Sequence, residues 1–374
     1  MRIYLDNNAT TAIHPEVLSV LESSLRDVFG NASSIHREGQ AARRMIEDAR
    51  ESVAQLVGAT ARDLVFTSGG TESNNAAIFG AVSTTGRCHI VTSSIEHPSV
   101  AEAVRELERR GCEVTRVAPS RSGLVSAEDV IAAMRDDTRL VTVMMANNET
   151  GVVQPVEAIG HACRERNVHF HCDAVQAAGK VAIDVESIQC DTLSLSAHKL
   201  HAPKGIGALY VRRGITMGSH LVGGAQERRR RAGTENVPLA AAFGAAAALP
   251  SAAPYVASLR DRFESALRAS SLDFTINGTE VRRLPNTSNV TFHGADGEGI
   301  VIALDLSGVA ASTGSACSSG RVEPSPVLLA MGLSPEDARA TVRFSLSRFN
   351  TASEVERVVE LLRDLVVKSI LRRD

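Results

Sequence analysis

The chain has 374 residues, 44% of them apolar and 22% charged, with a formal net charge of -3. That length allows two domains and a large core, and the composition is ordinary for a globular enzyme. So small a net charge gives no electrostatic footprint for nucleic acid or an anionic membrane.

No apolar run reaches membrane-spanning length, and the first residues, Met1 to Asp6, carry no signal-peptide pattern. The six cysteines, at 88, 112, 163, 172, 190 and 317, show no CxxC spacing. This argues against disulfides and structural zinc, and for a reducing, cytoplasmic setting. Cys88, Cys112, Cys163 and Cys190 read as small core residues.

In chain order, Ile3-Tyr4-Leu5 is a short strand leading into the polar loop Asp6 to Thr11. Pro15 opens a helix with Val17, Leu18 and Leu21 on one face. A second helix, about Glu38 to Val57, closes at Gly58. The strand Asp63 to Thr67 then runs through Ser68-Gly69-Gly70-Thr71 into an alanine-rich helix. Glycines between strand and helix free backbone N–H groups to face an anion, and the helix N-terminus and the Thr71 hydroxyl reinforce them. The spacing matches neither a dinucleotide fingerprint nor a Walker loop.

Strands at His89 to Thr92, Glu113 to Ala118, Leu140 to Met145 and Val168 to Asp173 alternate with helical segments. The pattern predicts an α/β fold with a mainly parallel, doubly wound sheet. Polar groups collect at successive strand ends: Gly70 and Thr71, His97, Asn147, Asp173 with Gln176, then Ser196, His198 and Lys199. The carboxyl edge of such a sheet is where these folds bind ligands. A buried carboxylate needs a partner, and a pyridinium nitrogen is one. A lysine amine there can form a Schiff base with an aldehyde, the chemistry that fixes pyridoxal 5'-phosphate (PLP).

The run Arg228-Arg229-Arg230-Arg231 reads as a solvated or interface patch. Pro250 and Pro254 mark a boundary, after which a smaller α+β unit begins. In that unit, seven of the nine residues from Ser312 to Gly320 are Ser, Thr or Gly, with Cys317 among them. Such a loop exposes its thiol. The strand Ala340 to Leu346 carries Arg343, a bidentate clamp for a carboxylate.

Together these segments resemble the cysteine desulfurases of the NifS/IscS family, within the class V aminotransferase-like, fold-type I PLP enzymes. The resemblance runs from Tyr4-Leu5-Asp6-Asn7-Asn8-Ala9-Thr10-Thr11 to Arg343-Phe344-Ser345. It is sharpest at Ser-Ala-His-Lys, 196–199, and Gly-Ser-Ala-Cys, 314–317. The stretches 198–205 and 231–236 are more similar to the NifS branch.

The resemblance implies a seven-stranded-type central sheet in a large PLP-binding domain, residues 15–250. Residues 1–14 and 251–374 would form the small domain that carries the cysteine loop. It implies that Lys199 binds PLP, Asp173 keeps the pyridine nitrogen protonated, Gln176 bonds the phenolic oxygen and His97 stacks on the ring. Gly70, Thr71, Ser196 and His198 would hold the phosphate, with Thr234 reaching in from the other subunit of a homodimer. Asn147 and Arg343 would hold the substrate carboxylate.

The implied reaction converts L-cysteine to L-alanine. Lys199 removes the Cα proton and the Cys317 thiolate attacks the substrate sulfur. The resulting persulfide passes to an iron–sulfur scaffold or another acceptor. A thiol of ordinary pKa, about 8.5, is mostly protonated at neutral pH, so His97 is expected to activate Cys317 or take the substrate thiol proton. Lys199 and Asp173 would equally serve a selenocysteine lyase or an aminotransferase, and a binding protein on this fold needs neither; Cys317 discriminates.

Overall fold

The computed structural model describes residues 2–82, 88–313 and 323–371. Cys317 and its expected role lie outside them.

The strands, in chain order, are β1 Ile3–Tyr4, β2 Leu64–Thr67, β3 His89–Ser93, β4 Glu113–Val117, β5 Thr138–Thr142, β6 His169–Asp173, β7 Thr192–Ser196, β8 Gly207–Val211, β9 Phe274–Ile276, β10 Thr287–Phe292, β11 Val309–Ala310 and β12 Thr341–Ser345. The large sheet has seven strands in the order β2-β8-β7-β6-β5-β3-β4. From β7 to β4 every neighbour is parallel, as the alternation of strand and helix predicts. β8 runs antiparallel to both β7 and β2. Only the short link 197–206 joins β7 to β8, with one helical turn, Ala197–Lys199, and a parallel return needs a longer crossover.

The strand expected at Leu140 to Met145 is shifted: β5 ends at Thr142. Beyond it the ladder continues irregularly, with the Val143 and Met145 N–H groups donating to the His171 and Asp173 carbonyls at 3.2 and 2.8 Å.

Alternate residues of each strand feed opposite faces. Ile90 and Leu140 pack with Ile78, Val100 and Leu107 under α3, Gly70–Ala81, and α4, Pro98–Arg109. Val91 and Val141 face the main core of Phe170, Leu193, Leu195 and Phe243. Helices Pro15–Asp27, Arg37–Gln55 and Val237–Ala247 close that side. Cys88, Cys112, Cys163, Cys172 and Cys190 are buried free thiols, as core residues should be.

A second core gathers Phe263, Val290, Phe292, Val342, Phe344 and Val358. It lies around the antiparallel sheet β12-β10-β9 and the helices Ala253–Arg268 and Ala352–Leu371. Ile3 and Leu5 belong to it, because β1 pairs in parallel with β11. The chain's start is thus anchored on its far end, and the loop after β1 is laid across the carboxyl edge of the large sheet. No helix among the described residues is long and apolar enough to cross a membrane.

The arginine run departs from a simple solvated patch. Arg231 pairs with Glu72 at 2.9 Å, and Arg228 donates to the Ala61 and Arg62 carbonyls at 3.3 and 3.0 Å. The preceding Glu227 is buried against Arg50, with Oε2 2.6 Å from Nη1. Arg228 and Arg229 stay exposed, as a solvated patch would be, while Arg230 and Arg231 are partly covered because the segment folds over partners that lie far away in sequence.

Candidate active site

Lys199 ends the single helical turn that follows β7. Its Nζ donates to the Asn8 carbonyl and, at 2.8 Å, to the Ala9 carbonyl. These acceptors come from the loop after β1, held in place by Asn7 Nδ2 on the Ser345 carbonyl at 2.8 Å and by Asn8 Nδ2 on Thr287 Oγ1 at 2.9 Å. Burial, with Arg343 adding to it and Asp6 and Asp173 opposing, pulls the Lys199 amine down to about 8. The lowering raises the unprotonated fraction well above that of an ordinary lysine, and the unprotonated amine is the form that captures an aldehyde.

Two strands from β7 across the sheet, β2 leads into α3 through Gly69 and Gly70. Gly69 has φ 155° with an extended ψ of -178°, a region essentially reserved for glycine. A Cβ on Gly70 would lie 2.8 Å from Val175 Cγ2 and 3.4 Å from Ser196 Cβ. The absent side chain thus lets the α3 N-terminus close on the ends of β6 and β7. Its first-turn N–H groups have no helical acceptor by construction. Thr71 is exposed beside them. His198 approaches Thr10, with Nδ1 3.2 Å from Oγ1. Burial first, then Lys199, Lys204, Lys180 and His97, lowers the His198 ring to about 4, so it remains neutral.

Asp173 ends β6 and is buried. Its Oδ1 accepts from the Val175 N–H at 2.9 Å and its Oδ2 from Asn74 Nδ2 at 2.8 Å. Both neighbours are donors, so each carboxylate oxygen accepts one hydrogen bond. Gln176 Nε2 donates to the Asn8 carbonyl at 2.9 Å, and its Oε1 accepts from Lys180 Nζ at 2.9 Å. One Nε2 hydrogen remains for another acceptor. A cavity of about 440 Å³ opens beside Lys199 and Lys180 toward Leu200, Leu346 and Pro254.

A lysine of lowered pKa, an acceptor-only carboxylate and an open helix N-terminus fit the aldehyde, pyridine nitrogen and phosphate of PLP in turn.

His97 caps α4: its Nδ1 accepts from the Ser99 N–H at 3.1 Å. Glu96 beside it is buried, which pushes its carboxyl up to about 8. It takes the Ser93 hydroxyl and accepts from the Met144 N–H at 3.0 Å, tying the His97 turn to the end of β5.

Two expected substrate ligands are otherwise engaged. Asn147 is 0% exposed; its amide donates to the Ile95 carbonyl at 3.1 Å and accepts from the Glu149 and Thr150 N–H groups at 2.9 and 3.0 Å. It holds its own loop. Arg343 is 4% exposed and pairs with Asp6 at 2.7 Å and the Asn148 carbonyl at 3.0 Å, while its buried Nε has no hydrogen-bond partner among the described residues. Thr234 is exposed, on a cavity of about 270 Å³ that also contacts Ser68.

Sequence reasoning passed over Asn8, Asn74, Ser99, His171 and Lys180. Local pattern shows only polar residues on a loop, a helix or a strand; their convergence needs the fold.

His171 gives a pH prediction. Burial, with His169 adding to it, lowers its imidazole to about 3, against about 6.5 in an unfolded chain. Between those values the unfolded chain binds the extra proton, so stability rises with pH across the window and is lost as pH falls through it. At pH 5 the loss relative to pH 8 is about 2 kcal/mol from this residue. The apoprotein Tm is expected to drop between pH 7 and pH 5, and less so for His171→Gln; equal slopes would refute it.

The comparisons with known proteins agree with this geometry. The family described as Aminotransferase class-V matches residues 3–358. A protein named cysteine desulfurase from Trichormus azollae is 46% identical over 370 residues, covering 97% of this chain and 92% of that one. A solved structure titled NifS-like protein superposes with a TM-score of 0.91 at 34% identity, covering 98% of this chain and all of that one. Another, titled SspA in complex with cysteine, has a TM-score of 0.85 at 38% identity, covering 94% of this chain and all of that one. With that likeness spanning nearly the whole length, the chain belongs to the class-V aminotransferase family, among its PLP-dependent cysteine desulfurases.

Proposed function

We propose that this desulfurase converts L-cysteine to L-alanine, collects the sulfur as a persulfide on Cys317 and passes it to an iron–sulfur scaffold protein. The observation that carries the reading is the Lys199 amine, lowered to about 8 and placed at the strand edge that Asp173 shares. PLP, when bound, supplies the carbonyl that captures the substrate amine and the electron sink for the Cα–H bond.

Lys199 holds the cofactor and, once displaced by the substrate amine, accepts the Cα proton at Nζ. Asp173 keeps the ring nitrogen protonated through its carboxylate. Gln176 directs its remaining Nε2 hydrogen to the phenolic oxygen, and the His97 ring covers one face. Gly70, Thr71, Ser196 and His198 receive the phosphate. The substrate carboxylate displaces Asp6 from Arg343 and meets its free Nε, while Asn147 keeps the adjoining loop in shape. Cys317 Sγ attacks the substrate sulfur: an S–S bond forms, the C–S bond breaks, and protonation at carbon releases alanine.

The decisive experiment is a single turnover without reductant, followed by mass analysis of the Cys317 peptide. One alanine per chain and one added sulfur on that peptide are expected, with the sulfur discharged onto a scaffold protein's thiols. Pyruvate with free sulfide and an unmodified peptide would overturn the reading.

A homodimer completes the site. Phe29 and Ile35 are 82% and 94% exposed, a large apolar surface near the first helix that a second copy would cover, and exposed Thr234 is free to reach a partner's phosphate group. Sedimentation is expected to show a dimer at micromolar concentration and a monomer for Phe29→Asp; a wild-type monomer would refute it. The five described cysteines are all free, in keeping with a reducing cytoplasm.

A further inference from the structure

Asn74, in the second turn of α3, is fully enclosed yet takes no part in the steps assigned to Lys199, Asp173 and Cys317. Its amide sits at a junction of forced polarity. One Nδ2 hydrogen goes to Asp173 Oδ2 at 2.8 Å and the other to Ser99 Oγ at 2.8 Å. A carboxylate only accepts, so the amide nitrogen must face Asp173 and Oδ1 must face His171, whose Nε2 lies 3.0 Å away. His171 therefore carries its proton on Nε2, and its Nδ1 accepts from the Thr192 hydroxyl at 3.0 Å.

A second anchor lies at the other end. The Ser99 backbone N–H can only donate, and it donates to His97 Nδ1. Ser99 Oγ, already accepting from Asn74, turns its hydrogen to the same Nδ1 at 2.8 Å. Neutral His97 is thereby fixed with its proton on Nε2. In that tautomer the outer nitrogen is a donor and has no free lone pair for a substrate thiol proton.

We propose that Asn74 is a positioning residue that couples Asp173 and His97, the two groups placed against the cofactor ring, through one amide oriented by His171. The inference rests on the PLP reading given above for Asp173 and His97. Donation from Asn74 to Oδ2 fixes the orientation of the Asp173 carboxylate that would face the pyridine nitrogen. Through Ser99 the same amide holds His97 in its donor tautomer.

The test uses full-length protein with labelled histidines, studied by nitrogen NMR without cofactor and then loaded with PLP labelled at the ring nitrogen. Wild-type apoprotein is expected to show His97 and His171 protonated on Nε2 only. In Asn74→Ala the ring-nitrogen signal should move from the pyridinium toward the neutral position, PLP affinity should fall about tenfold, and His97 should titrate at higher pH. In Ser99→Ala only the His97 change is expected, with the ring nitrogen as in wild type. Asn74→Ser provides a second variant should Asn74→Ala fold poorly. His97 protonated on Nδ1 in wild type, or an unmoved ring nitrogen in both Asn74 variants, overturns the proposal. Failure of wild type to bind PLP would sink the cofactor reading instead, and the apoprotein tautomers would still decide the hydrogen-bond order.

Discussion

Lys199→Ala is expected to give a folded protein that stays colourless with PLP and loses desulfurase activity by at least about a thousandfold, because the proposed mechanism makes one amine both anchor and proton carrier. The side chain sits at the edge of the sheet, bonded to the Asn8 and Ala9 carbonyls and not packed in either hydrophobic core, so truncation should leave the fold intact. Lys199→Arg should fail as well. Guanidinium stays charged at every accessible pH and forms no stable Schiff base. Absorption spectroscopy of PLP-treated protein, with alanine release from L-cysteine, checks both variants. A coloured Lys199→Ala protein with residual turnover would place the reactive amine elsewhere, and Lys180, lowered to about 7 by burial, would be the next to replace.

The second large effect is at Cys317. Cys317→Ala and Cys317→Ser should each cut alanine and sulfide release from L-cysteine by about a thousandfold or more, because no other group is assigned the attack on the substrate sulfur. Serine fails for a chemical reason: a hydroxyl cannot take up sulfur as a stable persulfide. Both variants should bind PLP and show the wild-type spectrum, since the proposed mechanism gives cofactor capture to Lys199, Asp173 and the α3 N-terminus. The measurement is alanine and sulfide with a reducing thiol present, wild type against variant. Equal sulfide from both proteins, accompanied by pyruvate, would mean elimination without that thiol. Retained transamination with no sulfide from either would favour an aminotransferase.

Much of the site is legible from local pattern. Alternating strands and helices put Gly70, Asp173 and Lys199 at strand ends, and strand ends of a parallel sheet converge on one edge whatever the detailed packing. The direction of β8 was not legible, since it depends on the length of the link after Lys199. Nor was the employment of Asn147 and Arg343. An asparagine on a loop after a strand looks free until its neighbours' N–H groups are seen to claim it, and a strand arginine looks like an open clamp until Asp6 arrives from the other end of the chain.

Residue types and spacing alone determined the chemistry available to this protein: an amine, a carboxylate, a glycine-opened helix start and a loop thiol, each readable because its reactivity is its own. Only the tertiary structure decided protonation and polarity. How far the Lys199 amine is lowered, which nitrogen of His97 carries the proton, and which way the Asn74 amide faces depend on burial and on donors and acceptors brought from distant segments. Those energies arise between groups and not within any one of them.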